Sequence, residues 1–349
     1  MSPVSTKTPD QTAQAHGVQP PRLASRIAGQ RQVMVAVILL ATLAGVSAVN
    51  PSFASVQNAR DLLVQAAPAV IVGCGMTLVV LAGEIDISVG SLMGLLAAAM
   101  GILASPQHLG LPAPVAAGAV LLAGAGIGLI NGWLVAIWRI PSIIATLGML
   151  TILRGVTELL LGGVWITDLP PAIRAIGTGT VAGAPMCLCV AAIVAAGSLV
   201  IARGTRFGLR VYAVGANPEA AINARISPAR VKVLVFMLAG VLTGVATLVS
   251  VPQLSVIESG IGAGFELVVV TAVVVGGTSI RGGRGGIAGT VIAALLLGSI
   301  RTILVFLNLG EMATYWERAI QGAFILAAVL ADHLATSRAG IDDPAGAPA

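Results

Sequence analysis

Four groups of residues in this 349-residue chain are of types that do chemistry. Glu84 and Asp86 stand two apart between apolar runs, and in an extended segment that spacing puts both on one side. A carboxylate at the centre of a bilayer costs about 2.5–3.5 kcal/mol on insertion scales, so it is retained where it meets water or a partner. Proton coupling is one chemistry open to Glu84. Asp86 is read as a cap for the free amides of a helix starting at Ile87, with Ser88 sharing the role, in preference to a substrate contact. Arg154 and Glu158, four apart on one helical face, read as a mutual ion pair near the outer end, with a polar lining of a pathway mouth as the sharper alternative. Glu266 lies just inside a short apolar run and reads as facing the protein interior. The stretch from Gly276 to Gly289, with Arg281 and Arg284, is rich enough in glycine to hold a phosphate, but it lacks a strand-to-helix context. A tight turn between close-packed helices is the preferred reading. Cys74, Cys187 and Cys189 sit in apolar runs and read as small hydrophobes, and His16, His108 and His333 form no metal spacing. The only lysines are Lys7 and Lys232, and neither stands in Gly-Lys-Ser/Thr, so the chain has no Walker A phosphate loop.

The elements that must position these groups follow from composition. Hydrophobic residues are 57% and charged residues 9% of the chain. Soluble domains carry about 25% charged residues, so a water-facing globule and a disordered chain are both excluded. Aromatics are 3%, too few for a base-stacking surface, and no nucleic acid partner is expected. The fold class is an all-α polytopic membrane protein. Apolar runs fall at 33–49, 62–82, 88–104, 112–138, 140–161, 184–202, 231–251, 264–278, 286–308 and 316–332, which predicts about ten transmembrane helices, with eight to ten as the range. The runs at 88–104 and 264–278 are short and predict broken or re-entrant helices, allowed only where protein buries the loose backbone. Residues 1–31 are expected to form a disordered cytoplasmic tail, 32–332 the membrane domain and 333–349 a second tail. Val46-Ser47-Ala48 loosely resembles a signal-peptide cleavage site, but the long leader and the later spans favour an uncleaved first helix. Glycines spaced by four (Gly124, Gly128 and Gly132; Gly240 and Gly244; Gly285 and Gly289) predict close helix approach, and Gln65 and Asn131 predict hydrogen bonds between helices.

Charge sets the orientation. With the N-terminus inside and the runs alternating, 14 of the 19 basic residues fall on the inner side, and only Arg60, Arg174 and Arg318 on the outer. Both termini are then cytoplasmic. Six of the inner residues crowd the 203–232 connection: Arg203, Arg206, Arg210, Arg225, Arg230 and Lys232. Within it, Asn217-Pro218 starts a turn, Pro218 suits the first position of a helix, and Glu219 suits the positive end of its dipole. Ala220, Ala221, Ile222 and Ala224 give that short helix a small apolar face, which fits a groove on another protein. An ordinary solvated loop is the alternative.

Here the chain resembles the permease subunits of bacterial ABC importers for ribose-type sugars and related small molecules. Gly215-Ala216-Asn217-Pro218-Glu219-Ala220-Ala221 resembles their coupling-loop motif, whose short helix docks into a cleft of the ATPase subunit. Gly83-Glu84-Ile85-Asp86-Ile87-Ser88-Val89-Gly90-Ser91 resembles the family's Gly-Gly-Ile-Asp-Leu-Ser-Val-Gly-Ser signature. Gly276-Gly277-Thr278-Ser279-Ile280-Arg281-Gly282-Gly283-Arg284-Gly285 resembles its Gly-Gly-Thr-Ser-x-x-Gly-Gly-Arg-Gly motif. The likeness spans roughly residues 35–332, with the three motifs in family order. Two departures stand out. Glu84 replaces the second glycine, and Arg225 stands where a glycine usually follows the coupling helix, which leaves termination to Ser227-Pro228.

The resemblance implies a multi-pass protein of the bacterial cytoplasmic membrane, with no catalytic residue and no cofactor of its own. It implies ATP and magnesium on a separate ATPase subunit, a second permease subunit (a copy or a relative) and a substrate-binding protein outside. The substrate would be a pentose such as ribose or xylose, a deoxyhexose such as rhamnose, or a furanosyl signal such as autoinducer-2, and Tyr315-Trp316-Glu317-Arg318-Ala319-Ile320-Gln321-Gly322 is closer to the last two. The rival function is an ion-coupled secondary transporter working alone, titrating at Glu84, Asp86 or the Arg154–Glu158 pair. A membrane-embedded enzyme has no motif to support it.

Overall fold

The structure, a computed structural model, describes residues 22–307 and 312–338. Seven helices are long and apolar enough to cross a membrane: α1 (Arg22–Val49), α2 (Val56–Leu81), α4 (Ala113–Ala136), α5 (Ser142–Leu161), α7 (Met186–Gly204), α10 (Pro228–Ser250) and α12 (Ile287–Phe306). Two shorter apolar helices, α3 (Val89–Ala104) and α11 (Phe265–Val275), occupy the two short runs, and the last run lies in α13 (Ala313–Arg338). α1 begins at Arg22, inside the stretch read as tail, and α13 continues past position 332. Extending an existing helix adds a hydrogen bond per residue without a new nucleus, so polar flanks are drawn into it. Residues 1–21 and 339–349 of the two expected tails lie outside the described residues.

α2 is the central helix. Every residue from Ala69 to Ala82 is buried, as expected of a segment that is apolar all round. α12 packs beside it, where the Thr77 and Thr290 hydroxyls meet at 2.7 Å. α10 covers a further side and lies against α4 through glycine. A Cβ added at Gly124 would sit 2.5 Å from the Gly240 carbonyl oxygen, and one at Gly132 2.7 Å from the Val233 Cα. The four-residue glycine spacing therefore brings these two backbones into contact. Outer elements leave Leu122, Ile144, Leu159 and Ile193 uncovered, an apolar belt suited to lipid or another subunit.

At about 1.5 Å per residue, the 16 residues of α3 and the 11 of α11 fall short of the roughly 30 Å hydrocarbon core. Each is completed by non-helical backbone whose polar groups the protein itself satisfies. In the extended segment 84–88, the amides of Ile85 and Ile87 donate to the Ser142 and Thr146 hydroxyls of α5, both at 3.2 Å. In the loop before α11, Ile257 exchanges backbone bonds with Ile166 at 2.9 and 3.1 Å. That loop belongs to the end carrying α6 (Pro171–Thr178) and a hairpin of β1 (Thr180–Val181) and β2 (Ala184–Pro185). The 19-residue α7 separates this end from α8 (Arg206–Ala216) and α9 (Pro218–Asn223).

Candidate functional site

The 203–232 connection folds as two short helices. Thr205 caps α8, its hydroxyl accepting from the Gly208 amide at 3.2 Å. α8 buries Gly208, Val211 and Val214 and exposes Arg206, Leu209 and Arg210. Asn217 caps α9 through a 2.9 Å bond from the Ala220 amide, with Pro218 at the first position and Glu219 in the first turn. Both signals were legible in the residue order. Ala221 turns inward and is buried, whereas Glu219, Ala220, Ile222, Asn223 and Ala224 are exposed. Ile222 is 59% exposed.

The end of α9 corrects the expectation from sequence. Ser227-Pro228 does not terminate it; Ser227 instead caps α10, accepting from the Arg230 amide at 3.4 Å. Termination falls on Arg225, which takes the left-handed backbone, φ 59°, that a glycine there would adopt without strain. Its amide donates to the Ile222 carbonyl at 2.8 Å, and that of Ile226 to Ala221 at 2.9 Å.

All three motifs converge at this end of the bundle. The Gly283 amide donates to the Leu81 carbonyl at 2.9 Å, and Gly215 lies so close to that same carbonyl that any Cβ would overlap it. Gly83 ends α2 in the left-handed region and faces Gly282, where an added Cβ would come within 2.9 Å of its backbone. Tyr212 of α8 donates its hydroxyl proton to the Gly285 carbonyl at 2.9 Å. The 276–286 segment is the tight turn expected between close-packed helices: Gly276 abuts Gly289, Thr278 is buried, the Ser279 amide donates to the Arg284 carbonyl at 2.9 Å, and Gly277 and an exposed Arg284 complete the turn.

From this hub the signature segment runs into the interior. Glu84 pairs with Lys232 of α10 at 2.5 Å, a partner that residue order did not disclose. Asp86 is buried, and its Oδ1 accepts from the Ser88 amide at 2.9 Å and the Ser88 hydroxyl at 2.6 Å. The helix begins at Val89 rather than Ile87, so Asp86 holds the amide just before it and not one of its first turn. Ser88 is the N-cap residue but makes no side-chain cap; its oxygen accepts from Asn131 of α4 at 2.9 Å. Gly90 and Ser91 are buried in the first turn of α3, with Gly90 against Gly262 and Glu266, one carboxylate oxygen of which is buried without a partner.

The expected Arg154–Glu158 pair is not formed. Arg154 donates through Nη1 to the carbonyls of Ser259 at 2.6 Å and Ile261 at 3.0 Å, and Glu158 is exposed. Loop carbonyls at membrane depth have no water to satisfy them, and a guanidinium offers them charge-assisted bonds. Among the described residues no three His, Cys, Asp or Glu side chains are grouped to hold a metal ion. Cys74 and Cys187 are buried and Cys189 half-buried, all as free thiols.

A bundle of long apolar helices with two shortened ones, a polar segment threading its interior and a helix pair exposed at one end is the architecture of a multi-pass membrane protein. Residues 58–329 match the family described as the permease component of branched-chain amino acid transport systems, and the chain belongs to that family. It is a transmembrane permease subunit of an ABC importer in the bacterial cytoplasmic membrane, a transport component whose ATPase is a separate subunit. It is similar to the ribose import permease protein RbsC of Haemophilus influenzae, 38% identical over 308 residues, covering 87% of this chain and 93% of that one. The RbsC of Escherichia coli K12 is 36% identical, covering 85% and 92% of the two chains. The autoinducer 2 import system permease protein LsrC of Escherichia coli K12 DH10B is 33% identical, covering 86% and 85%. No solved structure matches.

Proposed function

We propose that this chain pairs with a second permease subunit to form the path for a ribose-like sugar or a sugar-derived signal, and that α9 is the contact through which the ATPase drives it. One observation carries the coupling role: α9 is capped, exposes Ala220, Ile222 and Ala224, and follows directly on α8, whose Gly215 packs against the end of the central helix. A small apolar face on an exposed helix fits a groove in a partner. ATP and magnesium reside on that partner. The excess of basic residues at this end supports a cytoplasmic position for it and for both termini. The α6 and β1–β2 end then faces outward, toward the substrate-binding protein. Relatives that import ribose and autoinducer 2 support the substrate class.

Substitution Ala220→Trp tests the coupling role, because position 220 points outward; a bulky residue at the buried Ala221 would test folding instead. The variant is expected to fold, to lose co-purification with the ATPase subunit and to lose uptake in proteoliposomes. Unchanged association and uptake would sink the assignment. Uptake driven by a proton gradient through this chain alone would favour the ion-coupled alternative.

A further inference from the structure

We propose that the Glu84–Lys232 ion pair is a positioning link that carries movement of α9 into the extended 84–88 segment. The inference rests on the coupling role proposed for α9. Lys232 lies in the first turns of α10, the helix that follows α9 directly. The Ile226 amide bonds back to Ala221 of α9, and Ser227 caps α10, so α9 and the start of α10 are held as one unit. Glu84 opens the segment on the other side of the pair. Beyond it, Ile85 and Ile87 bind Ser142 and Thr146 of α5, and Ser88 binds Asn131 of α4. One short strand of backbone thus ties α4 and α5 to the entry of α3, and the carboxylate at its head is bonded to the helix that α9 would push.

The glycine contacts of this hub are of another kind. Gly215 and Gly283 abut the Leu81 carbonyl, on the α2 side of Gly83, where the left-handed turn separates the helix from the segment. The ion pair acts beyond that turn. Its side chains are only 22% and 12% exposed for Lys232 and Glu84. Partly desolvated charges attract more strongly than a surface pair, and removing one leaves the other uncompensated. Glu84 is also a departure from the motif that this segment otherwise resembles, where a glycine stands.

The test uses the full complex of permease, ATPase and binding protein in lipid nanodiscs, with backbone hydrogen exchange read at residues 84–88 and 218–223 before and after a non-hydrolysable ATP analogue. It needs no knowledge of the substrate. In the wild type, the analogue is expected to change exchange in both segments. In Glu84→Gln and Lys232→Met, the change at 218–223 is expected to remain while that at 84–88 shrinks roughly fivefold or more, the low end of typical coupling between sites. The charge-swapped double variant, Glu84→Lys with Lys232→Glu, is expected to restore most of the 84–88 response. Glu84→Gly removes the carboxylate without adding a polar group and should repeat the loss if the glutamine variant does not fold. A full 84–88 response in the folded single variants, or a swap that repairs nothing, overturns the proposal, as does a wild type that responds at 218–223 alone. A wild type silent at 218–223, together with ATPase association that survives Ala220→Trp, marks failure of the α9 assignment itself.

Discussion

At the scale of single residues, the sharpest constraints are backbone contacts that admit no side chain and one backbone angle that an arginine fills poorly. Left-handed backbone costs a non-glycine residue roughly 1–2 kcal/mol. Arg225→Gly is therefore expected to stabilise the end of α9 by about 1 kcal/mol, seen as roughly fivefold slower exchange of the Ile226 amide. Faster exchange there would show that the arginine side chain contributes more than its backbone loses. Gly215→Ala should do the opposite. Its methyl would overlap the Leu81 carbonyl, so α8 must shift away from α2, and the Gly283–Leu81 bond should be lost with it. Residue order disclosed the turn at Asn217-Pro218 and Pro218 at the first position of α9, because turn and helix-start chemistry is local. It did not disclose Lys232, because its partner is 148 positions away, nor the conformation of Arg225, because arginine does not advertise a positive φ.

At the scale of elements, the two short helices were legible as short apolar runs, and so was the condition that protein must bury their loose backbone. What supplies that burial was not. The i, i+4 spacing of Arg154 and Glu158 favoured a local pair, yet the unsatisfied carbonyls of Ser259 and Ile261 claim the guanidinium. Arg154→Met leaves both carbonyls unpaired, at about 1–3 kcal/mol each. The thermal midpoint in detergent is expected to fall and the 251–264 loop to become protease-sensitive, whereas Glu158→Gln should change neither. Equal losses from the two variants would restore the pair. The connection at the opposite end from α9 carries a pH dependence. The Ser105 hydroxyl donates to Asp168 at 2.8 Å and holds its carboxyl below the usual carboxylate range. A depressed folded value means the stabilisation is complete above the unfolded value, about pH 3.9, and is lost as pH falls through the folded one. The 162–185 connection should loosen on acidification below about pH 4, and Ser105→Ala should loosen it already at neutral pH, both read by hydrogen exchange.

At the scale of the whole molecule, composition already excluded a soluble fold, and the positions of the spans were legible because lipid demands long apolar helices. The count was less so. A short apolar run shows its length but not whether its chain completes a crossing, and α3 and α11 are each extended by non-helical backbone. Orientation depends on charge: the basic excess gathers at the end bearing α8, α9 and the 276–286 turn, and a negative inner leaflet and the insertion machinery both favour that end inside. This gives a prediction for the entire chain. Asn223 on α9 and Val181 in the β1–β2 hairpin are exposed at opposite ends. Of the native thiols, Cys74 and Cys187 are buried, and Cys189 can be replaced by alanine to remove background. In that variant, Asn223→Cys should react with a membrane-impermeant maleimide in inside-out vesicles and stay unlabelled in intact spheroplasts, and Val181→Cys should show the reverse. The opposite pattern would invert the molecule and with it the site of ATPase docking. Labelling of both positions from one side would mean an odd number of crossings fewer or more between them, and α7 would not be a span.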